Sequence, residues 1–184
     1  MKPIVASASV VTAILVATST PAPLKVEEKV PSLTREVKGK ITKASKPKVV
    51  KTNETVRLTS QEFDCLAKNV YHEAGIEPTE GKIAVAQVTL NRVKDGRWGD
   101  DVCSVVYSKA QFSWTLDKKK RKSTPKGDLW TASVHAVKEF QRGVRVREVD
   151  QSNFYHADYI RKPQWAKVHK VTAVVGKHIF YKGI

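Results

Sequence analysis

Glu73 and His72 are the residues of this chain whose types and spacing most directly suggest chemistry. They lie in "NVYHEAGIEPTEG" (residues 69–81), at the end of an apolar run and just before Gly75. Three chemistries could use the pair. A zinc peptidase needs H-E-x-x-H on one helix, because two His at i and i+4 grip one metal. Here the fifth position is Ile76, and His135, His156, His169 and His178 show no tight ligand spacing. A zinc amidase would have to be assembled from distant residues; no metal and no cofactor is expected. A serine nucleophile would need a G-x-S-x-G elbow, which is absent. Cys65 and Cys103 lie in apolar surroundings that do not favour a reactive thiolate.

The third chemistry is acid–base work by Glu73 itself. In the last turn of a helix a carboxylate meets the negative end of the dipole, which favours its neutral form. Such a group can protonate a glycosidic oxygen and later take a proton back. Glycosidases ordinarily pair two carboxylates. Glu77 and Glu80 are near in sequence but fall at a loop and a helix start, where solvent and dipole account for them. A single carboxylate suffices if the substrate supplies its own nucleophile. Sugar-binding clefts also use aromatic faces and amides, for which Tyr71, Phe112, Trp114, Tyr155 and Trp165 are available.

The elements that must hold Glu73 are legible around it. Thr59 followed by Glu62 is a capping box, flanked by Leu58 and Phe63 as a hydrophobic staple. Apolar positions at Phe63, Leu66, Ala67, Val70 and Ala74 give a helix ending near Gly75. A second helix is expected over 79–94, stopped by Asp95-Gly96. Its centre, "IAVAQVTLNRV", is apolar nearly all round and therefore buried. Gln87 and Asn91 interrupt it on one face: they either tie loops together or floor a cleft that holds substrate and orients Glu73. A short helix and an aromatic loop containing Gln111 follow. "DKKKRK" (117–122) reads as a solvated loop that adds to a polyanion-binding surface. A third long helix is expected over 128–142. The C-terminal part, with a strand near 153–156 and a hairpin turning near Gly176, completes an α+β fold.

Around this domain, at 58–184, the 184-residue chain carries extensions. Residues 4–17 are apolar behind Lys2 and are followed by small residues and prolines, the layout of a secretory signal over 1–20. The core is short for a spanning helix, which needs about 20 residues. Export to the periplasm, envelope or exterior is expected, with an uncleaved membrane tether as the alternative. Residues 21–57 are Lys- and Pro-rich without an aromatic residue, a flexible basic linker. The net charge of +15 favours polyanions: wall, membrane or nucleic acid. No nucleic-acid motif accompanies it, so nucleic acid is not expected as a partner. In an oxidising compartment Cys65 and Cys103 either bridge or remain buried thiols.

"CLAKNVYHEAGIEPTEGKIAVAQVTLNRVKDGRW", "VCSVVYSKAQFSW" and "GKHIFY" together resemble the SleB-type cell wall hydrolases over residues 58–181. The elements N-x-Y-x-E-A, A-V-A-Q-V-x-L-N-R-V and Q-F-S-W are specific in combination. The resemblance implies a lysozyme- or lytic-transglycosylase-like α+β domain acting on peptidoglycan glycan strands with one catalytic glutamate, Glu73; a monomer is expected. Gln87, Asn91, Gln111, Tyr155 and His156 are the candidate cleft residues. An N-acetylmuramoyl-L-alanine amidase and a non-catalytic wall-binding module are the alternatives. The chain departs from relatives at "EAGIEP", where E-A-R-G-E is common, and at Ala110, where some carry cysteine.

Overall fold

The computed structural model describes residues 47–183. The expected leader and most of the expected linker lie outside the described residues. Among the described residues no helix is long and apolar enough to cross a membrane.

Helix α1 (Ser60–Ala74) begins as its sequence dictates. The Glu62 N–H donates to Thr59 Oγ1 at 3.2 Å, and the Glu62 carboxylate accepts the Thr59 N–H at 2.9 Å. Such a cap contributes about 1 kcal/mol. Leu66, Ala67 and Val70 are fully buried along one face. Helix α2 (Thr79–Asp95) is buried over almost its whole length and stops where Gly96 turns left-handed at φ 75°. The Gly96 N–H then bonds the Arg92 and Val93 carbonyls. Helix α3 (Val102–Tyr107) has its own box between Asp101 and Ser104. Residues Ser113–Leu116 form a 3-10 turn. Helix α5 (Asp128–Gln141) packs on both α1 and α2.

Two elements differ from the sequence reading. Residues 117–122 were expected as a loop, yet Lys118–Lys122 form a short exposed helix, α4. Asp117 makes this possible by accepting the N–H groups of Lys119 and Lys120. The linker also ends earlier than residue 57. Strand β1 (Val49–Lys51) pairs antiparallel with β2 (Val144–Val146), Val49 opposite Val146. Thr52 and Val56 then donate N–H groups to the Gly143 and Gln141 carbonyls. Three-residue strands without aromatics carry almost no sequence signal of their own, so only the pairing defines them.

The main sheet has the order β3-β5-β4, all antiparallel: β3 (Phe154–Ala157), β4 (Lys170–Val175) and β5 (His178–Lys182). Phe154 faces Tyr181 and Tyr155 faces Phe180 across the ladder. Helices first and sheet last make the domain α+β. The β4–β5 turn is locked to the loop after α1. Glu77, 7% exposed, accepts the Lys177 N–H through Oε2 at 2.9 Å. Glu77 was expected to be a solvent-facing loop residue; burial makes it a tie instead.

At Gly176 the chain turns with φ 57°, and a Cβ would run into the Glu77 carboxylate. Gly176→Ala is expected to cost roughly 1–3 kcal/mol, combining the left-handed conformation with this clash. An unchanged thermal midpoint would show that the turn can rearrange freely.

Candidate active site

Glu73 stands in the last turn of α1, and its carboxylate emerges half-buried beside the sheet. Strand periodicity brings one partner to it. Alternate residues of β3 face opposite sides, and Tyr155 points toward α1, its hydroxyl donating to Glu73 Oε2 at 3.1 Å. Desolvation raises the Glu73 pKa above the ordinary carboxylate value; the Tyr155 hydrogen bond and the Arg92 charge pull it part of the way back. The same burial, together with the Glu73 charge, holds the Tyr155 phenol well above its ordinary value. Tyr155 therefore stays protonated and acts as a fixed donor. His178 and Phe180 pack against its ring, at centroid distances of 5.3 and 5.6 Å.

Arg92 is the charge that the sequence reading overlooked. It is 6% exposed within α2. Its Nε donates to the Asn153 carbonyl at 2.8 Å. Its guanidinium lies 5.1 Å from the Phe112 ring and 5.6 Å from the Trp98 ring. Nη1 is buried with no protein partner. The available signal was a guanidinium inside an otherwise apolar helix, since a buried charge requires an opposite charge or a dense set of partners.

On the other side of Glu73, His72 stacks on Trp114 with centroids 4.4 Å apart. Trp114 is anchored by its indole N–H, which donates to Asn69 Oδ1 at 3.0 Å; the Asn69 amide in turn donates to Thr89 Oγ1. A buried polar chain thus fixes the aromatic loop against α1 and α2. Burial, then the charges of Lys120 and Lys68, lowers the His72 pKa. The neutral imidazole is thereby favoured.

The other expected cleft residues fare differently. Gln87 is 2% exposed, and its Oε1 accepts the Val146 N–H at 3.0 Å. Asn91 donates to the Val149 and Ser152 carbonyls at 3.1 and 2.9 Å. Both amides tie loops to α2, and Gln87 Nε2 is buried without a partner among the described residues. His156 takes the other side of its strand. It points to the opposite face of β3 from Tyr155, with Nε2 hydrogen-bonded to Tyr181 Oη at 2.9 Å and its ring stacked on Tyr181. Trp165 lies on that far face too, against Phe154 and Tyr181. Gln111 is half-buried, and its side chain makes no hydrogen bond among the described residues; it sits beside Ala110, whose φ is 61°.

Cys65 and Cys103 are joined in a disulfide that ties α1 to α3, their Cα atoms 5.4 Å apart. The free-thiol alternative is thereby settled against, and a cysteine nucleophile is excluded. Among the described residues no group of three His, Cys, Asp or Glu is arranged to hold a metal.

A half-buried carboxyl at a helix end, accepting a phenol hydroxyl and lying in the field of a buried guanidinium beside a small antiparallel sheet, is the candidate acid–base site of this α+β domain. Residues 76–181 match the Cell Wall Hydrolase family, and the chain belongs to that family. The match begins three residues beyond Glu73. A spore cortex-lytic enzyme of Oceanobacillus iheyensis is 27% identical over 127 residues, covering 67% of this chain and 42% of that protein. The Bacillus subtilis spore cortex-lytic enzyme is 33% identical over 75 residues, 41% of this chain and 25% of that protein. The chain thus spans less than half the length of these curated relatives. The crystal structure of the catalytic domain of the Bacillus cereus SleB protein superposes with a TM-score of 0.59 at 26% identity, covering 72% of this chain and 98% of that one. The catalytic domain of the Bacillus anthracis germination-specific lytic transglycosylase SleB gives 0.56, also at 26% identity, over 68% and 97% of the two chains. The family is one of peptidoglycan-degrading enzymes, consistent with an envelope-associated or exported protein.

Proposed function

We propose that the domain cleaves the glycosidic bond between N-acetylmuramic acid and N-acetylglucosamine in peptidoglycan, as a lytic transglycosylase with Glu73 as its only catalytic carboxylate. The observation that carries this is the environment of Glu73. Its pKa is raised, and among the described residues the groups acting on it are Tyr155 and Arg92, with no second carboxylate. The raised pKa favours the protonated form, which a general acid requires.

In the first half of the reaction Glu73 gives its proton to the glycosidic oxygen as the bond to the muramyl C1 breaks. The carboxylate, stabilised by the Tyr155 hydroxyl and the Arg92 charge, then accepts the proton of the muramyl 6-hydroxyl while that oxygen bonds to C1. The products are a 1,6-anhydro-muramyl end and a free N-acetylglucosamine 4-hydroxyl. Glu73 returns to its protonated state, and no water is consumed. The name of the matched Bacillus anthracis enzyme supports the same reaction class. The disulfide supports an oxidising location outside the cytoplasm.

Mass spectrometry of purified peptidoglycan digested by the protein tests this reading. Anhydro-muramyl ends, absent with Glu73→Gln, are expected. Reducing muramic ends would replace the 6-hydroxyl by water as nucleophile. Free peptides with intact glycan would make the enzyme an amidase and remove the role given to Glu73.

Tyr155→Phe isolates the phenol. Loss of its hydrogen bond removes an interaction that lowers the Glu73 pKa, so the alkaline limb of the pH–rate profile should move to higher pH. A roughly tenfold loss of activity is expected from the less stabilised carboxylate, within the range for a hydrogen bond to a charged group. An unmoved alkaline limb would mean that Tyr155 does not act on Glu73.

A further inference from the structure

We propose that helix α4 is an anion-binding rim of the Glu73 cleft, taking the free carboxylates of the peptide stem that the muramyl sugar carries. This rests on the glycan-cleaving reading above and names a second contact with the same substrate. The sequence places five consecutive cations at Lys118–Lys122, all exposed, and among the described residues none of them forms an ion pair. Like charges at i,i+3 and i,i+4 destabilise a helix. Only Asp117, capping the first turn, offsets that repulsion locally. The run nevertheless forms a helix, which gathers charge in one place that a loop would spread out.

The position of that charge is set by an aromatic chain. Arg121 lies over the Tyr107 ring at 5.4 Å, Tyr107 meets the edge of Trp114 at 5.9 Å, and Trp114 stacks on His72. His72 precedes Glu73 on α1. Lys120 and Lys68 act electrostatically on His72 against the opposing charge of Asp117, so charge from this helix is felt at the residue next to the candidate catalytic carboxyl. Lys118, Arg121, Lys122 and Tyr107 line a half-open surface pocket of about 420 Å³.

Muramic acid bears a lactyl ether, and the peptide on it carries several carboxylates. With the muramyl C1 at Glu73, that peptide must leave the sugar beside the cleft. Three cations gathered around one surface pocket suit a short chain whose carboxylates lie close together. Lysines, as mobile point charges, suit carboxylates spaced along such a chain.

The test compares the full chain with its Lys118→Gln/Lys120→Gln/Lys122→Gln variant on two substrates: glycan strands with their peptide stems, and the same strands after enzymatic removal of the stems. On stem-bearing strands at low salt the variant should lose about five- to tenfold in kcat/KM, the combined effect of three exposed charges. The gap should close at high salt, and on stem-free strands the two proteins should converge. Lys→Arg at the same positions should retain the wild-type rate. Equal loss on both substrates, or no loss on either, overturns the rim while leaving glycan cleavage standing.

Binding of the free stem tripeptide to the wild-type chain, followed by tryptophan fluorescence, separates the two readings. Binding that weakens with salt and in the glutamine variant supports the rim even if no glycosidic bond is cut. Absence of binding overturns it. Preferential binding of a poly(glycerol phosphate) polymer would overturn it in favour of a wall-polymer contact.

Discussion

Glu73→Gln should leave the fold intact and reduce peptidoglycan cleavage by roughly 10²–10⁴-fold, the range that general acid–base catalysis supplies. Glutamine fills the same space, and its amide oxygen can still accept the Tyr155 hydroxyl that donates to Glu73 Oε2. It has no proton to give at a usable pKa. Loss of cleavage can therefore be assigned to proton transfer, provided that stability is measured alongside. Burial raises the folded-state pKa of Glu73 above its unfolded value. The folded chain consequently holds this proton more tightly than the unfolded chain. Its contribution to stability is fully present below the unfolded pKa and is lost as pH rises through the folded one. Glutamine never ionises and escapes that loss. The variant should thus melt at or above the wild-type temperature at neutral and alkaline pH, and the difference should close on acidification. A variant that is inactive but much less stable at pH 7 would point to a structural role for the carboxylate. A variant with wild-type cleavage would remove Glu73 from the reaction.

The legible parts of this site share a physical property: each was announced by local sequence alone. The α1 start was visible in the Thr59–Glu62 box, and its end in Gly75, so Glu73 could be placed in the last turn. The β4–β5 hairpin was visible from β-branched residues around Gly176. Tyr155 and its neighbour His156 were both identified as candidates, yet they take opposite faces of β3. A β3 register shifted by one residue would exchange their faces, and only the ladder with β5 fixes which one meets Glu73.

What remained hidden depended on long-range partners. Gln87 and Asn91 were seen as buried amides, yet their choice between cleft and loop is made by the carbonyls and N–H groups of residues 146–152. Arg92 stands out only as a guanidinium within an apolar helix, and Glu77 looks like a surface charge in isolation. Their burial follows from the Asn153 carbonyl in one case and the Lys177 amide in the other. Strand β1 is the extreme case, since Val49–Lys51 is part of a lysine-rich stretch until β2 arrives from nearly a hundred residues away.

Removing the Cys65–Cys103 bridge should cost about 4 kcal/mol, because the bonded residues are 38 apart and the open chain regains the corresponding loop entropy. For a folded part of this size the thermal midpoint should fall by roughly 10–15 °C. Cys103 is partly exposed whereas Cys65 is buried, so a small reductant has access to the bond from one side. A Cys65→Ala/Cys103→Ser double variant avoids leaving a free thiol and should match the reduced wild type. The bridge joins α1, which presents Glu73, to α3, which leads into the loop carrying Trp114. Trp114 is held independently by Asn69, so the cleft should survive in the molecules that remain folded. Cleavage measured well below the new midpoint should accordingly stay near the wild-type rate, while survival after heating falls sharply. Equal melting with and without reductant would show that the cross-link contributes nothing to folding. A large loss of activity in the cold would instead mean that the bridge, and not Asn69, sets the distance between Glu73 and the aromatic loop.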